Sequence, residues 1–137
     1  MSILRYMSRE NYKNSSQERR RFTRVPFIAE IVMQCGDEEW TCNLLDISLN
    51  GMLVEPPTNI KVNPSNPCAV ALFLANDVVI NARARIKHTD TDHWGLQYLS
   101  IDIESLKQLR RLLEMNFHDH DLIDRELSQL SSDIIVR

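Results

Sequence analysis

Four arginines fall within six positions of the segment ERRRFTRV: Arg19, Arg20, Arg21 and Arg24. A guanidinium is a planar fork that binds phosphate through paired hydrogen bonds and also stacks on flat rings. Several of them beside a rigid strand suit the wrapping of a compact anion. They equally suit a basic tail that solvates the N-terminus or attracts nucleic acid loosely. The second chemically suggestive stretch is DISLNG, residues 46–51. If it is strand, Asp46 and Ser48 share a side, and Leu45 and Ile47 face the core. A carboxylate at Asp46 can accept hydrogen bonds from a guanine edge or hold an arginine. Gly51 opens backbone conformations closed to other residues, or permits close approach of a ligand. The same Asp, Ser, Asn and Gly content also reads as a plain β-turn between two strands.

Other constellations carry less. His118 and His120 have the wrong spacing to share one helix face, and no third metal ligand accompanies them. No G-x-S-x-G elbow surrounds Ser48, and no Walker loop or dinucleotide fingerprint occurs. No catalytic set, metal site or cofactor is therefore expected, and the chain does not read as an enzyme. The three cysteines, Cys35, Cys42 and Cys68, are odd in number and lack C-x-x-C spacing, which suits buried thiols in a reducing compartment. No apolar run is long enough to span a bilayer, and the N-terminus lacks the continuous apolar region of a signal peptide. A cytoplasmic protein without membrane insertion is the expectation.

The net charge of −3 conceals a strong polarity. Through Arg24 there are seven basic and two acidic residues; beyond it there are nine basic and seventeen acidic. A charge so divided places positive potential at one end of an otherwise acidic molecule.

The elements that must position these residues follow from hydrophobic periodicity. Val25, Phe27, Ala29, Ile31 and Met33 recur with a period of two, which predicts a strand. CGDE is a turn, and EWTCNLLDIS and GMLVE are two more strands, the latter stopped by Pro56 and Pro57. CAVALFLA and VVINARARIKH follow as strands joined across Asn76-Asp77, and WGLQYLSI is the sixth. The period then changes. Asp102 is placed to cap a helix bearing Leu106, Leu109, Leu112, Leu113 and Phe117, and HDHDLIDRELSQL predicts a shorter second helix. The fold class is mainly β: a six-stranded antiparallel barrel with C-terminal helices and a flexible N-terminal arm. The expected divisions are a tail over 1–17, the barrel with its ligand-binding arm over 18–101, a helical segment over 102–131 and a short tail over 132–137.

Taken together, R-x-x-x-R at Arg20 to Arg24 and D-x-S-x-x-G at Asp46, Ser48 and Gly51, about twenty residues apart, resemble the paired motif of the PilZ domain family. With ERRRFTRVPF, LLDISLNGMLVE and SLKQLRRLLEMN, the chain looks like the small stand-alone PilZ proteins of gamma-proteobacteria over roughly residues 18–130. The resemblance implies a receptor for the bacterial second messenger cyclic di-GMP. Arg20 and Arg24 would take its phosphates and guanines, and Asp46, Ser48 and Gly51 would present polar groups to a guanine. An arginine just before the motif, here Arg19, resembles the set that binds a stacked pair, which implies two ligand molecules per chain. Arg21 is a further candidate, although Phe22 beside it equally directs it to solvent. His88 falls where similar proteins place an aromatic ring against a base, or is an exposed strand-end histidine. Trp94 is the alternative stacking partner, or part of the barrel wall.

A receptor of this kind acts by changing shape. Ligand offsets the mutual repulsion of the arginines and ties the arm across the barrel, remodelling a surface that a partner protein reads. With no output domain in the sequence, the expected partner is a separate, unidentified protein. Two other readings remain at this stage. A nucleic-acid-binding module would use the basic N-terminus, against the acidic balance of the remainder. A ligand-free PilZ-like interaction scaffold would have no use for the ligand-binding groups.

Overall fold

The computed structural model describes residues 22–57, 60, 62–63, 65–116, 120–130 and 134–137, and for His88 and His120 the backbone alone. The tail over 1–17, Arg19, Arg20, Arg21 and Phe117 lie outside the described residues.

Six strands alternate along the chain as the apolar periodicity requires: β1 (Val25–Cys35), β2 (Glu38–Ile47), β3 (Gly51–Glu55), β4 (Cys68–Phe73), β5 (Val79–Thr89) and β6 (Trp94–Ile101). The order is β3-β2-β1-β4-β5-β6, and β3 also pairs with β6, so the sheet closes on itself. All six pairings are antiparallel. Closure leaves no free edge among them, the usual all-β answer to unpaired backbone groups. Inside, Ile31, Met33, Leu44, Val54, Leu72, Ile80 and Tyr98 are sealed from solvent.

The turn between β4 and β5 is built at Asn76 and Asp77, whose φ angles are 62° and 61°. Asn and Asp tolerate the left-handed region better than most side chains, and two such residues in a row suit a hairpin's twist. The sequence marked this dipeptide as the turn, and the backbone explains why.

Two helices follow, α1 (Ile103–Asn116) and α2 (His120–Ser128). Asp102 caps α1: its Oδ1 accepts the backbone N–H of Ser105 at 2.7 Å. Its Oδ2 accepts the Ser105 hydroxyl at 2.9 Å, and that hydroxyl accepts the Asn81 backbone N–H at 2.9 Å. One serine therefore locks the start of α1 onto β5. Leu109, Leu112 and Leu113 are buried along the helix, and Leu106 packs at the margin of the core. Arg110 bridges the helices, bonding Glu114 at 2.8 Å and Asp124 at 2.5 Å.

A seventh strand, β7 (Ile135–Val136), runs parallel to the last residues of β6. Two residues are too few to show a period, so the alternation that revealed the others was silent here. The backbone fixes it through Ile103 N–H to Arg137 O at 2.8 Å and Arg137 N–H to Ile101 O at 3.0 Å.

The cysteines differ from expectation. Cys35 ends β1 and Cys68 begins β4, and the antiparallel register sets them directly opposite each other, joined in a disulfide with a Cα–Cα distance of 4.3 Å. Two strands distant in sequence but adjacent in space bring them together, and no cysteine spacing reports that. Cys42 alone is a free thiol, buried, with its pKa pushed up to about 12 by loss of solvent and by the Glu55 charge, partly opposed by Trp40. Among the described residues, no helix is long and apolar enough to cross a membrane.

Candidate functional site

The end of β2 is where local folding and chemistry meet. Leu44 and Asp46 pair with Val54 and Leu53 of β3, so a bulge at Leu45 interrupts the ladder. A bulge puts two residues of one strand opposite one of the other and re-aims the side chains beyond it. Leu45 is accordingly only half-buried, while Asp46 and Ser48 are 2% and 5% exposed. The expectation that Leu45 would face the core opposite an outward Asp46 is thus corrected; only Ile47 keeps its core place.

Beyond Ile47 the chain reverses in a four-residue turn. Ser48 N–H donates to Gly51 O at 2.9 Å. The Ser48 hydroxyl donates to Asn50 Oδ1 at 2.8 Å and accepts the Asn50 backbone N–H at 3.3 Å. Asn50 O in turn accepts the Tyr98 backbone N–H at 3.0 Å, tying the turn to β6. The turn reading of DISLNG therefore has its structural counterpart, and one set of bonds shapes that turn and holds its polar side chains.

Gly51 is needed for a reason other than a left-handed backbone, since its φ is not positive. A Cβ there would lie 2.1 Å from the backbone oxygen of Leu96. The glycine lets β3 approach β6 closely enough to close the barrel.

The register of β1 on β2 supplies the arginine. Val25 pairs with Ile47. Arg24 immediately precedes β1 and Ser48 immediately follows β2, and both line an open depression of about 230 Å³. Asp46, Asn50 and Gly51 complete its β2–β3 side, and Lys87, Gly95 and Gln97 come from β5 and β6. Arg24 thus shares one cavity with Asp46, Ser48 and Gly51, which lie together well downstream in the sequence. Its walls offer two cations, a carboxylate, two amides and a hydroxyl, a set suited to an anion that also carries hydrogen-bonding rings.

Tyr98 of β6, whose backbone holds Asn50, is fully buried, and its hydroxyl has no hydrogen-bond partner among the described residues. Burial, and secondarily the Asp46 charge, hold its phenol well above the ordinary tyrosine range.

The remaining candidates lie elsewhere. Trp94 is 6% exposed and meets Trp40 edge-on inside the barrel, with ring centroids 6.0 Å apart. Its ring packs in the core and does not line the depression, which matches the barrel-wall reading of the two. His88 pairs with Gly95 through the backbone, and its side chain lies outside what is described, as do Arg19, Arg20 and Arg21. Asn50, Lys87 and Gln97 were missed. Lys87 had a legible signal, an outward cation on β5 beside the histidine that had been singled out. Among the described residues no cluster of His, Cys, Asp or Glu is placed to hold a metal.

The chain is a closed six-stranded barrel whose mouth brings an arginine at the entry to β1 together with a polar turn between β2 and β3. The chain belongs to the PilZ domain family, whose model matches residues 18–115. Solved structures agree on the fold. The PilZ domain of YcgR from Escherichia coli, solved with c-di-GMP, is 16% identical, with a TM-score of 0.61 over 82% of this chain and 99% of that one. The PilZ domain of CeSA from a cellulose-synthesizing bacterium is 17% identical, with a TM-score of 0.57 over 68% of this chain and 96% of that one. The Bacillus subtilis inhibitor of motility MotI/DgrA is 17% identical, with a TM-score of 0.58; the match covers 70% of this chain and 52% of that one.

Proposed function

We propose that the chain is a cyclic di-GMP receptor whose site is the depression between β1, the β2–β3 turn and β6. The observation that carries this reading is the convergence of Arg24 with Asp46, Ser48 and Gly51 on one cavity. Arg24, with Arg20 four positions earlier in the sequence, grips phosphate and covers a guanine face. Asp46 accepts the guanine N1 and N2 protons, a match of one acceptor group to two adjacent donors. Ser48 and Gly51 present the polar edge of the turn. Arg19 extends the cationic surface to a second, stacked molecule, giving two ligands per chain.

Binding closes the arginine segment onto the barrel. Ligand favours that closed arrangement because the arginine contacts exist only there. The new surface acts on a partner protein, and no chemical step is required of the site. Kinship to a family with a member solved bound to c-di-GMP supports the ligand class.

Isothermal titration of the folded protein with cyclic di-GMP tests the proposal. The expected result is saturable binding in the micromolar range or tighter with two molecules per chain. No heat of binding from a folded sample rejects the receptor reading. A stoichiometry of one rejects the paired ligand and Arg19's part in it.

A further inference from the structure

Glu126 is a carboxylate on α2 that is only 4% exposed. A buried charge is costly unless it is hydrogen-bonded, so its partners are informative. All three described bonds come from one residue 103 positions away. The Thr23 backbone N–H donates to Oε1 at 3.1 Å and Oε2 at 3.0 Å, and the Thr23 hydroxyl donates to Oε2 at 2.6 Å. Thr23 immediately precedes Arg24, and β1 begins at Val25.

Arg24 is therefore the single residue between two fixed points. On one side the clamp holds the backbone and side chain of Thr23. On the other, Val25 enters the ladder against Ile47. Between them the chain has little freedom left, and the direction in which Arg24 leaves the backbone is set. We infer that Glu126 is a positioning residue for the ligand site, its buried carboxylate fixing Thr23 and thereby holding Arg24 beside Asp46, Ser48 and Gly51. The inference rests on the ligand reading above and deepens it, because it makes α2 part of the binding apparatus. Without the clamp, the entry to β1 samples other directions, and only a fraction of molecules presents Arg24 to the ligand. The apparent affinity falls by that fraction. By reciprocity, ligand held on Arg24 strengthens the attachment of α2 to the barrel.

The test measures cyclic di-GMP affinity of the full chain carrying Glu126→Gln, Thr23→Val or Thr23→Ser, each checked for folding by circular dichroism. Glu126→Gln keeps the size but sets an amide against two donors. Thr23→Val removes the hydroxyl at nearly constant shape and carries the test if Glu126→Gln does not fold. Weakening of about tenfold is expected for both, with Thr23→Ser close to wild type, because its hydroxyl still reaches the carboxylate. A cycle with Arg24→Ala separates positioning from general damage. If Glu126 acts through Arg24, Glu126→Gln costs little further affinity once Arg24 is gone. Unchanged affinity in folded variants, tighter binding, or a full additional loss in the Arg24→Ala background overturns the inference while leaving the receptor reading intact. No binding by the wild-type chain overturns both.

Discussion

Substituting Gly51 by alanine isolates the geometry that closes the barrel. The added Cβ would lie 2.1 Å from Leu96 O, 3.2 Å from Leu96 C and 3.3 Å from Gln97 Cα. All three are backbone atoms, so no side chain can rotate away. Ordinary contact is 3.4–4 Å and even a tight one needs 3.0 Å, so β3 and β6 must separate locally by about 1 Å. A hydrogen bond stretched by that amount from its usual length of about 2.9 Å is lost. One or two ladder bonds are at stake, together with the Ser48 N–H to Gly51 O bond that shapes the turn. At about 1 kcal/mol net for each bond, with more for buried groups left unpaired, Gly51→Ala should cost about 2–4 kcal/mol. That is a large share of a typical stability of about 5–15 kcal/mol. Urea denaturation of the ligand-free protein reads it as a lowered midpoint with little change in slope. A variant within about 0.5 kcal/mol of wild type would refute the close-approach argument. If such a variant had lost ligand binding as well, the glycine would be required by the ligand, not by strand closure.

Arg24→Ala should weaken cyclic di-GMP binding about a hundredfold by calorimetry, leaving a residual affinity that can still be measured, and change stability by under about 1 kcal/mol, since a half-exposed residue at the strand entry packs little; a collapse of the fold would reassign it as structural. Thiol counting should find one reactive cysteine per chain in denaturant without reductant and three after reduction, because Cys35 and Cys68 are bonded and Cys42 is buried; reaction of Cys42 with maleimide in the native protein at pH 8 would contradict its burial. Stability should fall as pH rises above about 9. Cys42 stays protonated to about pH 12 when folded but ionises near 9.0 when unfolded, so the unfolded state releases its proton first. Tyr98 acts with the same sign above pH 10. Between its unfolded and folded pKa, each group lowers stability by about 1.4 kcal/mol per pH unit, and Tyr98→Phe should flatten the upper part of the profile in pH-dependent denaturation curves.

What the sequence made legible was local. Period-two alternation located β1 to β6, and the switch to a helical period at Asp102 located α1, because each signal is complete within one segment. What it concealed depended on pairing between distant segments. The bulge at Leu45 exists only relative to β3, so a uniform parity count misplaced Leu45 and Asp46. The bond between Cys35 and Cys68 needs β1 beside β4, a neighbour relation absent from sequence order. Glu126 did leave a trace: it falls among Leu122, Ile123, Leu127 and Leu130, a charge within an apolar stripe. Such a residue is either an error in the helix reading or a group with a buried partner, and only the folded chain names Thr23.

The short β7 has a consequence out of proportion to its length. Because Ile135 and Val136 return to the end of β6, the helical excursion over 102–134 is a closed loop, anchored where it leaves the barrel and again where it comes back. A tether fixed at both ends confines what it carries to a small volume, so α2 meets the entry to β1 at a high effective concentration. Removing the last three residues would leave that excursion anchored at its α1 end alone. The clamp on Thr23 would then meet α2 at a lower effective concentration, set by the packing of α1 and its link from Arg110 to Asp124.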